Sequence, residues 1–320
     1  MALKREFTFL SGDGATQIHG IEWKPESGKI CGILQIFHGM VEYIERYEDF
    51  AEFLTEKGFL VVGNDHLGHG KSVKTKEEYG FFAEKDGNKI VLGDLHRLYW
   101  KTAKKHPGVP YYILGHSMGS FLLRQYLFRY GKELDGAIIM GTGTQPEGML
   151  KLGRSLCSVI GRFRGWHYRS RLVDGMAFGG YNKHFKPART ERDWLTKDGT
   201  VVDAYLADER CTFRFTVNGY YNLFTSIQEA CREENMKRMP KDLPVLFVSG
   251  AEDPVGNFGK GVEQARKAFQ AAGMEDVTWI LYENDRHEIL NETDRDTVYR
   301  DLYAWLYVRL ADPRRKTGGN

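Results

Sequence analysis

The run Tyr111-Tyr112-Ile113-Leu114-Gly115-His116-Ser117-Met118-Gly119-Ser120 contains G-x-S-x-G between an apolar stretch and a stretch of helical period. Chemically it offers a serine hydroxyl on a sharp strand-to-helix turn. Glycines at 115 and 119 let strand and helix approach closely, and Ser117 stands exposed at a helix N-terminus. Free N–H groups and the helix dipole there favour developing negative charge. A serine hydroxyl is a weak nucleophile without a base, and the base needs an acid to orient it. On a turn of this kind the partners follow in the order serine, acid, histidine. Gly250-Ala251-Glu252-Asp253-Pro254 leaves a strand-like run and supplies two carboxylates, of which Asp253 is the expected acid and Glu252 its rival. Glu283-Asn284-Asp285-Arg286-His287-Glu288 leaves the last such run, and His287 is the only histidine beyond position 184. The expected nucleophile, acid and base are therefore Ser117, Asp253 and His287. Two N–H donors must also meet the oxyanion. Met118, next after the nucleophile, supplies one. In His38-Gly39-Met40-Val41-Glu42, Gly39 lets the backbone turn toward the site and Met40 supplies the other.

Such side chains need a scaffold that brings distant loops together. Gly32–Phe37, Leu60–Asn64, Pro110–Leu114, Asp135–Met140, Pro244–Ser249 and Thr278–Tyr282 read as buried strands. Helical periods lie between them at Ile44–Lys57, Ile90–Lys105, Ser117–Tyr130, Gly261–Ala272 and Asp294–Leu310. This alternation predicts an α/β fold, a mainly parallel sheet flanked by helices. Phe7–Leu10 and Ile18–Trp23, joined through Gly12-Asp13-Gly14, predict an antiparallel hairpin at the sheet edge. The alternation breaks across 147–240, which is aromatic-rich and strandless. That length exceeds a simple loop, so it predicts an inserted helical cap, with residues 1–146 and 241–320 forming the core domain. The tail 311–320 is expected to fray.

Composition narrows the function classes. The 320 residues are 42% hydrophobic, enough for a sizeable core. Lys and Arg (45) nearly balance Asp and Glu (43), a net charge of +2 that excludes a globally basic nucleic-acid binder and an acidic disordered chain. The four cysteines, Cys31, Cys157, Cys211 and Cys231, have no C-x-x-C spacing, so free thiols in a reducing cytoplasm are expected. The first residues lead into no apolar segment typical of a secretion signal, and no apolar run approaches the roughly 20 residues of a membrane span. His66 and His69 beside Asp65 suggest metal ligands. Their spacing falls on a Gly-rich loop without a further ligand, so bracing by hydrogen bonds is expected instead and no metal. Gly141-Thr142-Gly143-Thr144 is an incomplete dinucleotide fingerprint.

The insertion begins with a strong charge bias. Between Lys151 and Arg192 ten Lys or Arg face two acids, an excess of eight in a chain of +2, so the remainder carries −6. Met149, Leu152, Leu156, Ile160 and Phe163 recur at helical spacing. They predict a cap helix packed apolar side down with solvated basic residues outward, or a lid whose apolar stripe roofs a substrate pocket and whose basic residues attract anionic membrane surfaces or an anionic substrate.

Five runs together resemble the α/β-hydrolase superfamily, and within it the monoacylglycerol lipase and lysophospholipase-like group, also described as serine aminopeptidase-type. They are His38-Gly39-Met40 with Glu42, Arg46 and Tyr47; Asn64-Asp65-His66-Leu67-Gly68-His69-Gly70; Gly115-His116-Ser117-Met118-Gly119; Gly250-Ala251-Glu252-Asp253-Pro254; and Arg286-His287-Glu288. Leu67, Tyr43 and Ser120 depart from the group's frequent residues, and none touches the triad. The resemblance implies the α/β-hydrolase fold with Ser117, Asp253 and His287 as triad and the Met40 and Met118 amides as oxyanion hole. It implies a serine hydrolase for carboxylic esters of lipid-like alcohols that uses no cofactor. Aminopeptidase, amidase or acyltransferase chemistry on the same triad is the alternative, and a non-catalytic ligand-binding member is a further one. Gly39, Leu152, Leu156 and Ile160 are the expected substrate contacts.

Overall fold

The computed structural model describes residues 2–26 and 28–310, so the expected fraying of 311–320 concerns residues outside those described. The chain opens with β1 (Ala2–Leu10) and β2 (Gln17–Pro25), paired antiparallel along their full length. Then follow β3 (Gly32–Phe37), α1 (Glu48–Glu56), β4 (Phe59–Asn64), α2 (Gly87–Lys105), β5 (Tyr111–His116), α3 (Met118–Tyr130) and β6 (Gly136–Met140). Five helices come before the next strand: α4 (Glu147–Arg164), α5 (Arg171–Phe178), α6 (Gly199–Ala207), α7 (Val217–Cys231) and α8 (Glu233–Met236). The chain closes with β7 (Val245–Gly250), α9 (Lys260–Ala271), β8 (Val277–Tyr282) and α10 (Arg295–Leu310).

The strands form one eight-stranded sheet in the order β1-β2-β4-β3-β5-β6-β7-β8. From β4 to β8 all neighbours are parallel, and the antiparallel hairpin sits at one edge. The fold is that of an α/β-hydrolase. Every residue of β3, β4, β5, β6 and β7 is buried, because helices cover both faces. Phe50 and Leu54 of α1 join Val298, Leu302 and Leu306 of α10 on one face. Leu95 of α2, Leu123 of α3 and Phe269 of α9 pack on the other.

Two features position a site. β3 lies between β4 and β5, so the winding direction reverses there, and the loops leaving β3 and β5 diverge over a crevice at the carboxyl ends of the strands. The segment between β6 and β7 contains helices and no strand among the described residues, as its pattern predicts. It is not a free-standing layer: α7 packs on α3 and α2, and α4 runs along α7. The single helix expected over Ile44–Lys57 is divided into a tight turn at Ile44–Tyr47 and α1.

Candidate active site

Ser117 sits between β5 and α3 with φ 52° and ψ −118°, a conformation that costs energy for any residue with a Cβ. The flanking glycines show what imposes it. A Cβ at Gly119 would stand 2.0 Å from the Phe37 carbonyl oxygen, and one at Gly115 would stand 2.5 Å from the Gly119 carbonyl oxygen. Strand and helix are packed too closely for any side chain there. The Ser117 amide donates to the Met140 carbonyl (3.0 Å), tying the turn to the end of β6.

Asp253 lies on the loop after β7 and is fully buried, and His287 lies on the loop after β8. The His287 Nδ1–H donates to Asp253 Oδ2 (3.0 Å), which leaves Nε2 as the basic nitrogen. The other carboxylate oxygen accepts the Val255 amide (2.8 Å). The rival Glu252 is 45% exposed and faces Arg286 Nε at 3.7 Å, so only Asp253 meets the imidazole. The His287 ring packs 4.7 Å from that of His116 and 5.1 Å from that of Trp194. Gly141 gives it room, since a Cβ there would come within 3.1 Å of His287 Cε1.

Met118 opens α3, so its amide belongs to the unpaired donors of the helix start. Met40 lies on the loop after β3. That loop is strained at Val41, a β-branched residue at φ 57°. Its shape is held from several sides. The Gly39 amide donates to Glu42 Oε1, and the Tyr205 hydroxyl from α6 donates to the Val41 carbonyl (3.0 Å). Two buried histidines, His38 and His66, brace the same loop. The His66 amide donates to His38 Nε2 (2.8 Å), the His38 Nδ1–H to the Gly39 carbonyl (2.8 Å), and the His66 Nε2–H to the His38 carbonyl (2.9 Å). Burial pushes the pKa of His66 down to about 4 and that of His69 to about 3, so both are neutral. The bracing role expected of His66 is what its contacts provide. No group of three or more His, Cys, Asp or Glu side chains among the described residues is arranged to hold a metal ion.

Behind Ser117 lies a buried ionic network. Arg46 makes a bidentate pair with Glu288 (2.9 and 2.7 Å) and reaches Glu42 (3.0 Å). His116 Nδ1 faces Glu42 Oε1 at 3.1 Å, and its Nε2–H donates to the His287 carbonyl (3.3 Å). Burial opposes protonation of His116, but the Glu42 hydrogen bond and charge outweigh it and raise the imidazole pKa. Burial likewise opposes ionisation of Glu42, yet the His116 and Arg46 contacts hold its carboxyl far below the usual range. The Tyr47 hydroxyl also meets His116 Nδ1 (3.0 Å). The network fixes the loop after β3, the residue before Ser117 and the His287 backbone relative to one another.

Ser117, His287, Met40, Met118 and Gly39 all line one cavity of about 360 Å³. Its apolar lining includes Leu150, Met176, Phe178, Leu223, Phe224 and Ile227. Glu42, His116, Tyr205 and Glu288 bring polar groups to the same cavity. Three expected contacts do not line it and are corrected here. Leu152 is 61% exposed, while Leu156 and Ile160 pack against the core beside the buried face of α4. That face is Leu150, Gly153, Cys157 and Gly161, one position out of phase with the expected stripe. The cause is close packing: a Cβ at Gly153 would lie 2.8 Å from the Phe224 ring, and one at Gly161 would lie 2.9 Å from Trp166. Small residues mark the contact face, and Leu152 and Phe163 are left facing outward. Trp194 and Tyr205 were not legible as site residues. Their carbonyl and hydroxyl contacts reach across the fold to His287 and Val41 with no spacing signal.

Comparison with known proteins agrees with this architecture. Residues 28–294 match the family described as Serine aminopeptidase, S33. A human protein named Monoglyceride lipase is 33% identical over 302 residues, 90% of this chain and 86% of that one. A Mycolicibacterium smegmatis Monoacylglycerol lipase is 23% identical over 308 residues, 96% of this chain and 98% of that one. A thermostable carboxyl esterase from Bacillus coagulans, solved in complex with glycerol, superposes with a TM-score of 0.89 at 26% identity, covering 97% of this chain and all of that one. With the family match spanning most of the sheet and the intervening helices, the chain belongs to the serine aminopeptidase family of α/β-hydrolases, in its monoacylglycerol lipase-like group.

Proposed function

We propose that this protein is a serine hydrolase that cleaves carboxylic esters of lipid-like substrates, of monoacylglycerol or lysophospholipid type, through an acyl-enzyme. The observation that carries the reading is a single cavity where Ser117 and the Asp253-oriented His287 meet an apolar lining and a polar cluster. An acyl chain suits Leu150, Met176, Phe178 and Phe224, and a small polar alcohol suits the groups of Glu42, His116, Tyr205 and Glu288. The names of the human and mycobacterial relatives support the same substrate class.

In this reading Ser117 Oγ attacks the ester carbonyl while His287 Nε2 takes its proton, and Asp253 stabilises the imidazolium. The tetrahedral oxyanion faces the amides of Met40 and Met118. Collapse expels the alcohol with the proton returned from His287, and water repeats the cycle to release the acid. Helices α4 to α6 act as the cap that roofs the cavity. Amine recognition, as an aminopeptidase needs, would require a free carboxylate in the lining. Glu42 and Glu288 are held by Arg46, and Asp174 by Arg214 and Tyr220, which favours esters. The exposed apolar side chains of α4 and α5, among them Phe163 at 78% exposure, sit with Arg162, Arg164 and Arg171 and form the proposed contact with anionic membrane surfaces. Among the described residues no helix is long and apolar enough to cross a membrane.

The test is a panel of p-nitrophenyl esters of graded chain length, monoacylglycerols and aminoacyl anilides. Ester turnover should exceed anilide turnover by at least a hundredfold and rise with chain length. Faster anilide hydrolysis would overturn the reading.

A further inference from the structure

The ionisable side chains lining the cavity are almost all engaged. Glu42 and Glu288 share Arg46, and His116 lies between Glu42 and the His287 carbonyl. His287 holds Asp253, and Asp174 accepts from Tyr220 and Arg214. Arg192 differs. Among the described residues its guanidinium makes no hydrogen bond, and its nearest carboxylate belongs to the adjacent Glu191, 4.0 Å away and 78% exposed. Arg192 itself is 31% exposed and lines the cavity.

Its backbone is preorganised. The Asp193 carboxylate accepts the amides of Arg189 (2.6 Å) and Thr190 (3.1 Å), and the Arg192 amide donates to Thr190 Oγ1 (3.1 Å). Just beyond this turn, the Trp194 and Leu195 carbonyls accept the amides of His287 (3.4 Å) and Glu288 (2.7 Å). The turn that presents the guanidinium is therefore tied to the loop that carries the base. A guanidinium without a hydrogen bond among the described residues, carried on a braced turn beside the cavity, provides a forked set of donors whose geometry matches phosphate or carboxylate oxygens. The basic bias between Lys151 and Arg192 adds a field of the same sign.

We propose that Arg192 binds the anionic group of the substrate, so that lipid esters carrying a phosphate on the alcohol are bound in preference to neutral monoacylglycerols. The inference deepens the lipid-ester reading of the site and rests on it. It predicts an affinity difference that does not require turnover. Binding of 1-O-dodecylglycerol and of 1-O-dodecylglycerol 3-phosphate, both non-hydrolysable ethers kept below their micelle concentrations, is followed by calorimetry at low salt. In the wild type the phosphate ether should bind at least tenfold tighter. Arg192→Gln should reduce that preference below threefold, and Arg192→Lys should keep more of it. Lys183→Gln, which removes the same charge from an exposed position outside the cavity lining, should leave it intact. Inorganic phosphate should compete only at concentrations far above the ether's dissociation constant. Equal affinities in the wild type, a preference that survives in Arg192→Gln, or inorganic phosphate competing as well as the ether would each overturn the assignment. Because neither ether is cleaved, failure of ester turnover would strike the proposed reaction and leave this measurement to stand or fall separately.

Discussion

Replacing Asp253 with Asn removes one charge and keeps the shape, and the structure dictates how the amide must sit. The carboxylate accepts the Val255 amide on Oδ1 (2.8 Å) and faces His287 Nδ1 with Oδ2 (3.0 Å). An Asn amide has one acceptor. The Val255 N–H claims it, which turns the NH₂ toward His287. Two donors then face each other unless the imidazole moves its proton to Nε2. That tautomer offers no basic nitrogen to Ser117. Rotating the amide merely shifts the clash to Val255. The expected loss is therefore that of a wrong-tautomer triad, about 10⁴ in kcat, or about 5.5 kcal/mol at 1.36 kcal/mol per factor of ten. Glu252→Gln changes an exposed side chain that faces Arg286, and it should alter kcat less than about threefold. Steady-state kinetics on a soluble p-nitrophenyl ester, with thermal melts to show that both variants fold, reads the comparison. Retention of a tenth or more of wild-type kcat by Asp253→Asn, or a larger loss in Glu252→Gln, would refute the assignment of the acid.

Ser117→Ala should abolish labelling by a fluorophosphonate probe and lower kcat by several orders of magnitude; labelling that persists would move the nucleophile elsewhere. Leu150→Trp, in the cavity lining, should shorten the preferred acyl chain, whereas Leu152→Ala should leave the chain-length profile unchanged. Each buried methylene is worth about 0.8 kcal/mol, so two carbons change kcat/KM roughly tenfold until the cavity is full. Because the folded-state pKa of His116 is raised, its ion pair stabilises the fold fully below the unfolded value of about 6.5 and fades as pH rises through the folded value. The melting-temperature gap between wild type and His116→Gln should accordingly be widest near pH 5.5 and narrow toward pH 9; a pH-independent gap would contradict the raised pKa. Neutralising Lys151, Arg162 and Arg164 together should weaken co-sedimentation with anionic vesicles, and wild-type binding should fade with salt, while absent sedimentation of the wild type would leave those charges merely solvated.

The sheet was legible because its central strands are buried on both faces. Such strands read as continuous apolar runs, and β3 to β7 begin and end within two residues of the sequence expectation; β8 matches as closely but is an edge strand, partly exposed where burial was expected. Ser117, Asp253 and His287 stood out as candidates for a different reason. Each lies on a loop leaving a strand, and chain order alone separates the roles proposed for them. The structure adds what order cannot give, the choice of Asp253 over Glu252, which depends on where two adjacent side chains point. The ion pair between Arg46 and Glu288 spans the chain from the first crossover to the last, and the Tyr205 contact with Val41 joins α6 to the loop after β3. Contacts of that kind leave no periodic trace, since they are set by which loops the sheet order brings together.

The phase of α4 shows why an amphipathic helix can mislead. Its large apolar residues trace one stripe, and a surface helix normally buries such a stripe. Here Gly153 and Gly161 lie on the adjacent face, and only glycine permits the Phe224 and Trp166 rings to come so close. The backbone contact there decides the rotation, and Leu150 and Cys157 are carried inward with the glycines. Met149 is left at the rim, both exposed and lining the cavity, while Leu152 and Phe163 face solvent. The stripe is therefore split: Met149 reaches the cavity rim, Leu156 and Ile160 pack against the core, and Leu152 and Phe163 form an outer surface. In the proposed reading this separates two functions on one helix, with Leu150 on the cavity side and Phe163 on the membrane-facing side. Changing Leu150 should alter chain-length preference with little effect on vesicle binding, and changing Phe163 should do the reverse.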